Sequence, residues 1–178
     1  AKTPPMASTV LLLGLLAALS PEIEVAPPMY GLNPHNHYGA RAAVNGDGQW
    51  LIGYQDERYD DSGWVTGPNL RLTRMTPSGT MLAPGGVEPL AEGERVNPDV
   101  ASDGVDYLVT FTEYDGFGEA SLHAMRVAAD GATTAPILIR SATKFVHRTW
   151  ATCWNGNKYR VVFAADNNDT GKYTLWYA

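Results

Sequence analysis

The chain alternates apolar and polar residues over short runs and then breaks at turn-forming groups. In residues 107–112, Tyr107, Val109 and Phe111 fall on one face, and Leu108, Thr110 and Thr112 on the other. That is the period of a β-strand. The same arrangement recurs at 50–54 and 159–164. Each run is preceded by a short apolar step (42–44, 100–101, 151–154) and a turn: Asn45-Gly46-Asp47-Gly48, Asp103-Gly104 or Asn155-Gly156-Asn157. Asp-Gly and Asn-Gly predict two-residue hairpins, in which both residues must tolerate positive φ. An acidic or polar loop follows (55–67, 113–119, 166–172), then another strand (70–75, 121–127, 173–177). Two copies continue through Pro77-Ser78-Gly79 or Asp130-Gly131 into a further segment, 81–86 and 136–140. Outside the first 20 residues no segment has sustained helical periodicity.

The second strands begin at Trp50, Tyr107 and Tyr159, a spacing of about 50–60 residues. Four short strands in such a period match one blade of a β-propeller. The prediction is therefore an all-β, partial β-propeller of about two and a half to three four-stranded antiparallel blades. Central strands covered on both faces by neighbouring sheets explain why these runs carry few charges. Three copies are too few to close a ring, which usually has about four or more blades. The repeats also start and stop within a blade, so a larger product, a completing subunit or an open edge is expected.

Composition narrows the picture. The 178 residues include 18 Gly and 12 Pro, with 44 % hydrophobic and 18 % charged residues, which suits a globular chain of short strands and tight turns. The net charge of -6, without a basic run, argues against nucleic acid as a partner. The single cysteine, Cys153, allows no internal disulfide and reads as a small buried apolar residue.

Residues 1–20 carry an apolar run, 10–19, behind Lys2. It is short for a membrane span and has the length of a signal-peptide core. Cleaved, it implies export to the periplasm, cell surface or exterior; retained, it is a membrane tether. The alternative is an extra strand, since 15–21 can be laid over 124–130. Residues 21–40, rich in Pro, Gly and Asn, read as a linker, and 41–178 as the repeats.

The run at Pro98, Val100, Ala101, Asp103, Gly104, Tyr107, Leu108 and Val109, with Arg126, Val127, Asp130 and Gly131 behind it, resembles the tandem repeats of secreted bacterial β-propeller proteins. The third copy departs from the pattern, because 150–154 lacks both the proline and the Asp-Gly turn. The resemblance implies a non-enzymatic surface or secreted binding protein. Its partners would be other proteins, or further copies of itself completing the propeller.

Candidate chemistry is sparse. The loops after the second strands place Asp60, Asp61 and Trp64, then Glu113 and Asp115, then Asp166 and Asp169, on one predicted rim. Their carboxylates suit Ca²⁺, which takes about six to eight oxygen ligands, or sugar hydroxyls, with Trp64 as a stacking platform. That is a lectin-like alternative. The plain alternative is that Asp, Asn and Gly make good turns. Asn45-Gly46-Asp47-Gly48 resembles part of a calcium loop but lacks the first carboxylate, so a hairpin turn is expected. His35 and His37 could share a metal on a strand, but Pro34 favours a loop. His123 and His147 stand alone, and Trp50 and Trp154 read as core. No nucleophile elbow, phosphate loop or metal-binding helix is present, and no cofactor is expected. A pair of carboxylates from separate loops, such as Asp60 and Glu113, could act in glycoside hydrolysis, but nothing in the sequence selects them.

Overall fold

The computed structural model describes residues 36–59, 65–83, 86–87, 89–90, 94–114, 120–141, 146–166 and 173–178. These residues form ten strands and no helix. The first sheet is a meander of β1 (Asn36–Val44), β2 (Trp50–Tyr59) and β3 (Val65–Met75). The second is β4 (Glu94–Ser102), β5 (Tyr107–Tyr114), β6 (Ala120–Val127) and β7 (Ile137–Arg140). The third is β8 (Val146–Trp154), β9 (Tyr159–Asp166) and β10 (Tyr173–Tyr177). All neighbours are antiparallel. The strand pattern read from the sequence is thus present, with longer first strands than the apolar steps suggested. β1 begins at Asn36, inside the stretch read as a linker.

Each of the first two sheets carries an irregularity at the same place in its first strand. In β1 the register shifts between Tyr38 and Arg41, where Gly39 has φ 68°. In β4 it shifts between Val96 and Asp99, where Asn97 has φ 55°. A bulge explains how Pro98 sits within a strand, since it has no N–H to give a ladder. Asn tolerates the left-handed region better than most residues. The Asn97 N–H is taken by Gln55 Oε1 at 3.3 Å.

The sheets pack face to face in chain order. One core joins Leu51, Leu70 and Leu72 of the first sheet to Tyr107, Val109, Phe111 and Met125 of the second. A second core joins Leu108, Leu122 and Ala124 to Val161 and Phe163 of the third. β5 therefore buries both faces, and 107–112 are all buried, in keeping with the absence of charge from that run. The first strands β1, β4 and β8 lie in succession against one another. They line a small cleft of about 60 Å³ bounded by Arg41, Asp99 and Trp150.

The turns tie the stack together. The Tyr107 hydroxyl donates to the carbonyl of Gln49, just before β2, at 2.7 Å. Tyr159, at the same position of the third sheet, donates to the carbonyl of Asp106, just before β5, at 3.2 Å. Burial pushes the Tyr107 hydroxyl up to about 12, so it remains a donor. Burial also raises Tyr159. The turns themselves touch: Gly46 N–H donates to Gly104 O at 2.7 Å, and Asn45 Nδ2 to Val105 O at 3.3 Å.

These turns correct one sequence expectation. Asp103 and Asn155 are not the central residues of their hairpins. Ser102 pairs with Tyr107 and Trp154 with Tyr159, so the central pairs are Gly104-Val105 and Gly156-Asn157. Only the glycines have positive φ, 97° and 91°, as in turns with glycine at the first central position. The preceding side chains act as local acceptors. Asp103 Oδ1 takes the Val105 and Asp106 N–H groups at 2.9 and 2.8 Å, and Asn155 Oδ1 takes those of Asn157 and Lys158.

Two burial expectations are also corrected. Cys153 is exposed, because its face of the third sheet has no sheet against it among the described residues. Its counterparts by register, Ala43 and Ala101, face the next sheet. Trp50 is 37 % exposed rather than core: it lies at the turn end of its face beside exposed Val44, while Ile52 and Tyr54 farther along that face are buried.

Candidate functional site

The predicted rim residues are placed only in part. Asp60, Asp61, Trp64, Asp115 and Asp169 lie outside the described residues, as does His35. Asp166 is the last residue of β9, in register with Tyr173. Glu113 belongs to β5 rather than to a loop. Asp56, expected in the first acidic loop, is likewise inside β2, with its side chain 1 % exposed and Oδ2 3.2 Å from Arg71 Nε. The Asn45-Gly46-Asp47-Gly48 segment forms a hairpin turn. Asn45 Oδ1 accepts from Asp47 and Gln49 N–H at 3.1 and 3.0 Å.

Glu113 anchors the main polar cluster. It follows Tyr107, Val109 and Phe111 on the face toward the first sheet. Register sets it beside Arg95 on β4 and one step along from His123 on β6. Arg95 Nη2 donates to Glu113 Oε1 at 2.8 Å, and His123 Nε2 lies 3.5 Å from Glu113 Oε2. Both carboxylate oxygens therefore face groups of the protein itself. The His123 ring stacks on Phe111, with centroids 5.8 Å apart and planes 14° apart. Its Nδ1 is buried without a hydrogen-bond partner among the described residues.

His123 is thus not isolated, as its sequence position suggested. Asp56 and Arg71 hold the same relative register in the first sheet as Glu113 and His123 in the second. An acid seven positions into the second strand and a base on the third is therefore a repeated device. Its sequence signal was an acidic residue at the same offset from Trp50 and Tyr107. The strand boundary, placed too early at 55 and 113, concealed it.

Burial holds the His123 imidazole below its ordinary value. Glu113 pulls it up and Arg95 pushes it down, but neither outweighs desolvation. The unfolded chain thus binds a proton at His123 more readily than the folded one. The contribution to stability is complete above about pH 6.5, the ordinary histidine value, and is lost as pH falls toward the depressed folded value. Thermal unfolding followed from pH 7.5 to 5 should show a falling midpoint, and His123→Gln should make that fall shallower. Asp103 acts lower on the scale. Burial raises it, but N–H bonds from Val105 and Asp106, Tyr159 and the Arg126 charge together hold it below 3.8. Its contribution is lost only in stronger acid.

A cleft of about 370 Å³ opens between β3 of the first sheet and β6 of the second, lined by Leu72, Arg74, Val87, Val127 and Asp130. The sequence did not single it out, because its walls come from two different sheets. The Arg74 guanidinium is already engaged, donating to Ala129 O at 2.5 Å. Among the described residues no group of three His, Cys, Asp or Glu side chains is placed to hold a metal, and no helix is long and apolar enough to cross a membrane. Comparison with known proteins finds no matching family model, no matching curated protein and no matching solved structure.

Proposed function

We propose that this chain is a non-enzymatic binding or scaffold module of a larger extracytoplasmic assembly, its sheets serving as successive propeller-type blades that recognise other proteins. One observation carries the reading. Three antiparallel meanders are stacked in chain order by the same tyrosine-to-turn bond, and among the described residues no sheet covers the corresponding face of the third. On that face Ala151 and Cys153 are exposed and Val162 is half-buried. Their counterparts in the second sheet, Asp99, Ala101 and Thr110, lie under the third sheet, where Thr110 and Thr152 hydroxyls meet at 2.7 Å and Asp99 Oδ2 accepts the Thr152 N–H at 2.6 Å. Repeats of this kind bury a continuous core only when stacked, so an open face is suited to a partner. The apolar run at 10–19 supports the extracytoplasmic part of the proposal.

The test is capture on the immobilised full chain from an extracytoplasmic fraction. The expected result is a retained protein that Val162→Asp releases, with no turnover of glycoside substrates. Hydrolytic turnover removed by Glu113→Gln would overturn the reading.

A further inference from the structure

The two internal contacts between sheets follow one rule, and the turn ends of the two outer faces carry the corresponding residues. In each contact the leading aromatic of one sheet bonds the carbonyl before the second strand of the preceding sheet. In each, the aromatic shares a packed cluster with the leucine two residues after that carbonyl: Tyr107 with Leu51, and Tyr159 with Leu108. On the outer faces the corresponding residues are Trp50 on the first sheet and Arg160 on the third, with the Lys158 carbonyl as the acceptor. Both members have changed in kind. Where the internal contacts pair tyrosine with leucine, the outer faces offer tryptophan and arginine, the best-matched cation–π pair. Neither side chain makes a hydrogen bond or an ion pair among the described residues. Trp50 lies at the turn end of its face beside Val44, which is 44 % exposed. Its neighbours Ile52 and Tyr54 are buried within the chain, so the open part of that face is its turn end. Arg160 also lies at a turn end, in register with exposed Cys153.

We infer that a second copy of this chain docks head to tail, seating its Trp50 on Arg160 and the Asn155–Lys158 turn of the first. This rests on the stacked-blade reading above and names one occupant for the open face. The contact is heterologous, so each copy keeps one free half. That gives a specific test by light scattering of the full chain at high micromolar concentration. The wild type should run at a multiple of its 19.2 kDa. Trp50→Ala and Arg160→Glu should each weaken association roughly thirtyfold or more, as central Trp and Arg contacts do, and run as monomers with unchanged far-UV circular dichroism. Mixed together, the two variants should recover a dimer, because one retains a sound third sheet and the other a sound first sheet.

A mixture that stays monomeric, or an oligomer that neither change affects, overturns the inference. So does a monomeric wild type. If that monomer still captures a different protein in a Val162-dependent way, the binding-module reading stands and only the second copy is lost. If it captures nothing, both fail.

Discussion

Truncating Phe111 to alanine should be the costliest single change in the described core, lowering stability by about 3–5 kcal/mol. Phe111 is fully buried on the face of β5 that meets the first sheet. Its ring also supports His123. The change would leave a cavity between two sheets whose spacing is fixed by the Tyr107 hydroxyl and the touching turns, so the site cannot readily collapse. With total stabilities of about 5–15 kcal/mol typical, the loss is a large fraction of the whole. Urea unfolding followed by tryptophan fluorescence should show a much lower midpoint. A loss under about 1 kcal/mol, the size of an average substitution, would mean that Phe111 does not hold the two sheets together.

Gly46→Ala should be the second-largest effect, for a reason that the dipeptide Asn45-Gly46 does not announce. Gly46 needs no positive φ. A Cβ there would stand 2.8 Å from the Gly104 carbonyl oxygen, which is backbone and cannot swing aside. The turns of the first two sheets would have to separate, straining the Gly46 N–H bond to Gly104 and the Asn45 bond to Val105. Overpacking of this kind costs about 1–3 kcal/mol. Gly156, in the corresponding turn of the third sheet, has open space where a Cβ would stand but has φ 91°. Gly156→Ala should cost about 1–2 kcal/mol through backbone conformation alone. Combining Gly46→Ala with Tyr107→Phe separates the two mechanisms. If the turns have already parted, losing the Tyr107 hydroxyl should add less than it does in the wild type. Full additivity would show that the turns had not moved.

The comparison of these glycines shows where sequence reading stops. The Asn/Asp-Gly pairs that follow β1, β4 and β8, at 45–46, 103–104 and 155–156, look alike in the chain. One is required by close approach of a neighbouring sheet and two by their own backbone. Local chemistry is legible because it acts within a few residues; close approach between the turns of two different repeats is not. The same limit applies to the polar cluster. Glu113 was singled out, but as a free rim carboxylate. Its partners Arg95 and His123 come from flanking strands, and only register brings them within 3.5 Å.

By itself the sequence determined the all-β class and the order of strands within each antiparallel meander. Period-two alternation and turn residues are written residue by residue, and a slip of one position would reverse every face. That 107–112 is covered on both sides was hinted at by its lack of charge but decided by the third sheet, which packs over Leu108 and Thr110. The tertiary structure alone decided which sheet lies on which face. From that follows the exposure of Cys153, whose type suggests burial, and the burial of Thr110, whose type suggests water. Burial of a side chain is a property of what lies opposite it. Here the sequence specifies each sheet, while the stacking order specifies which faces of the described sheets are covered.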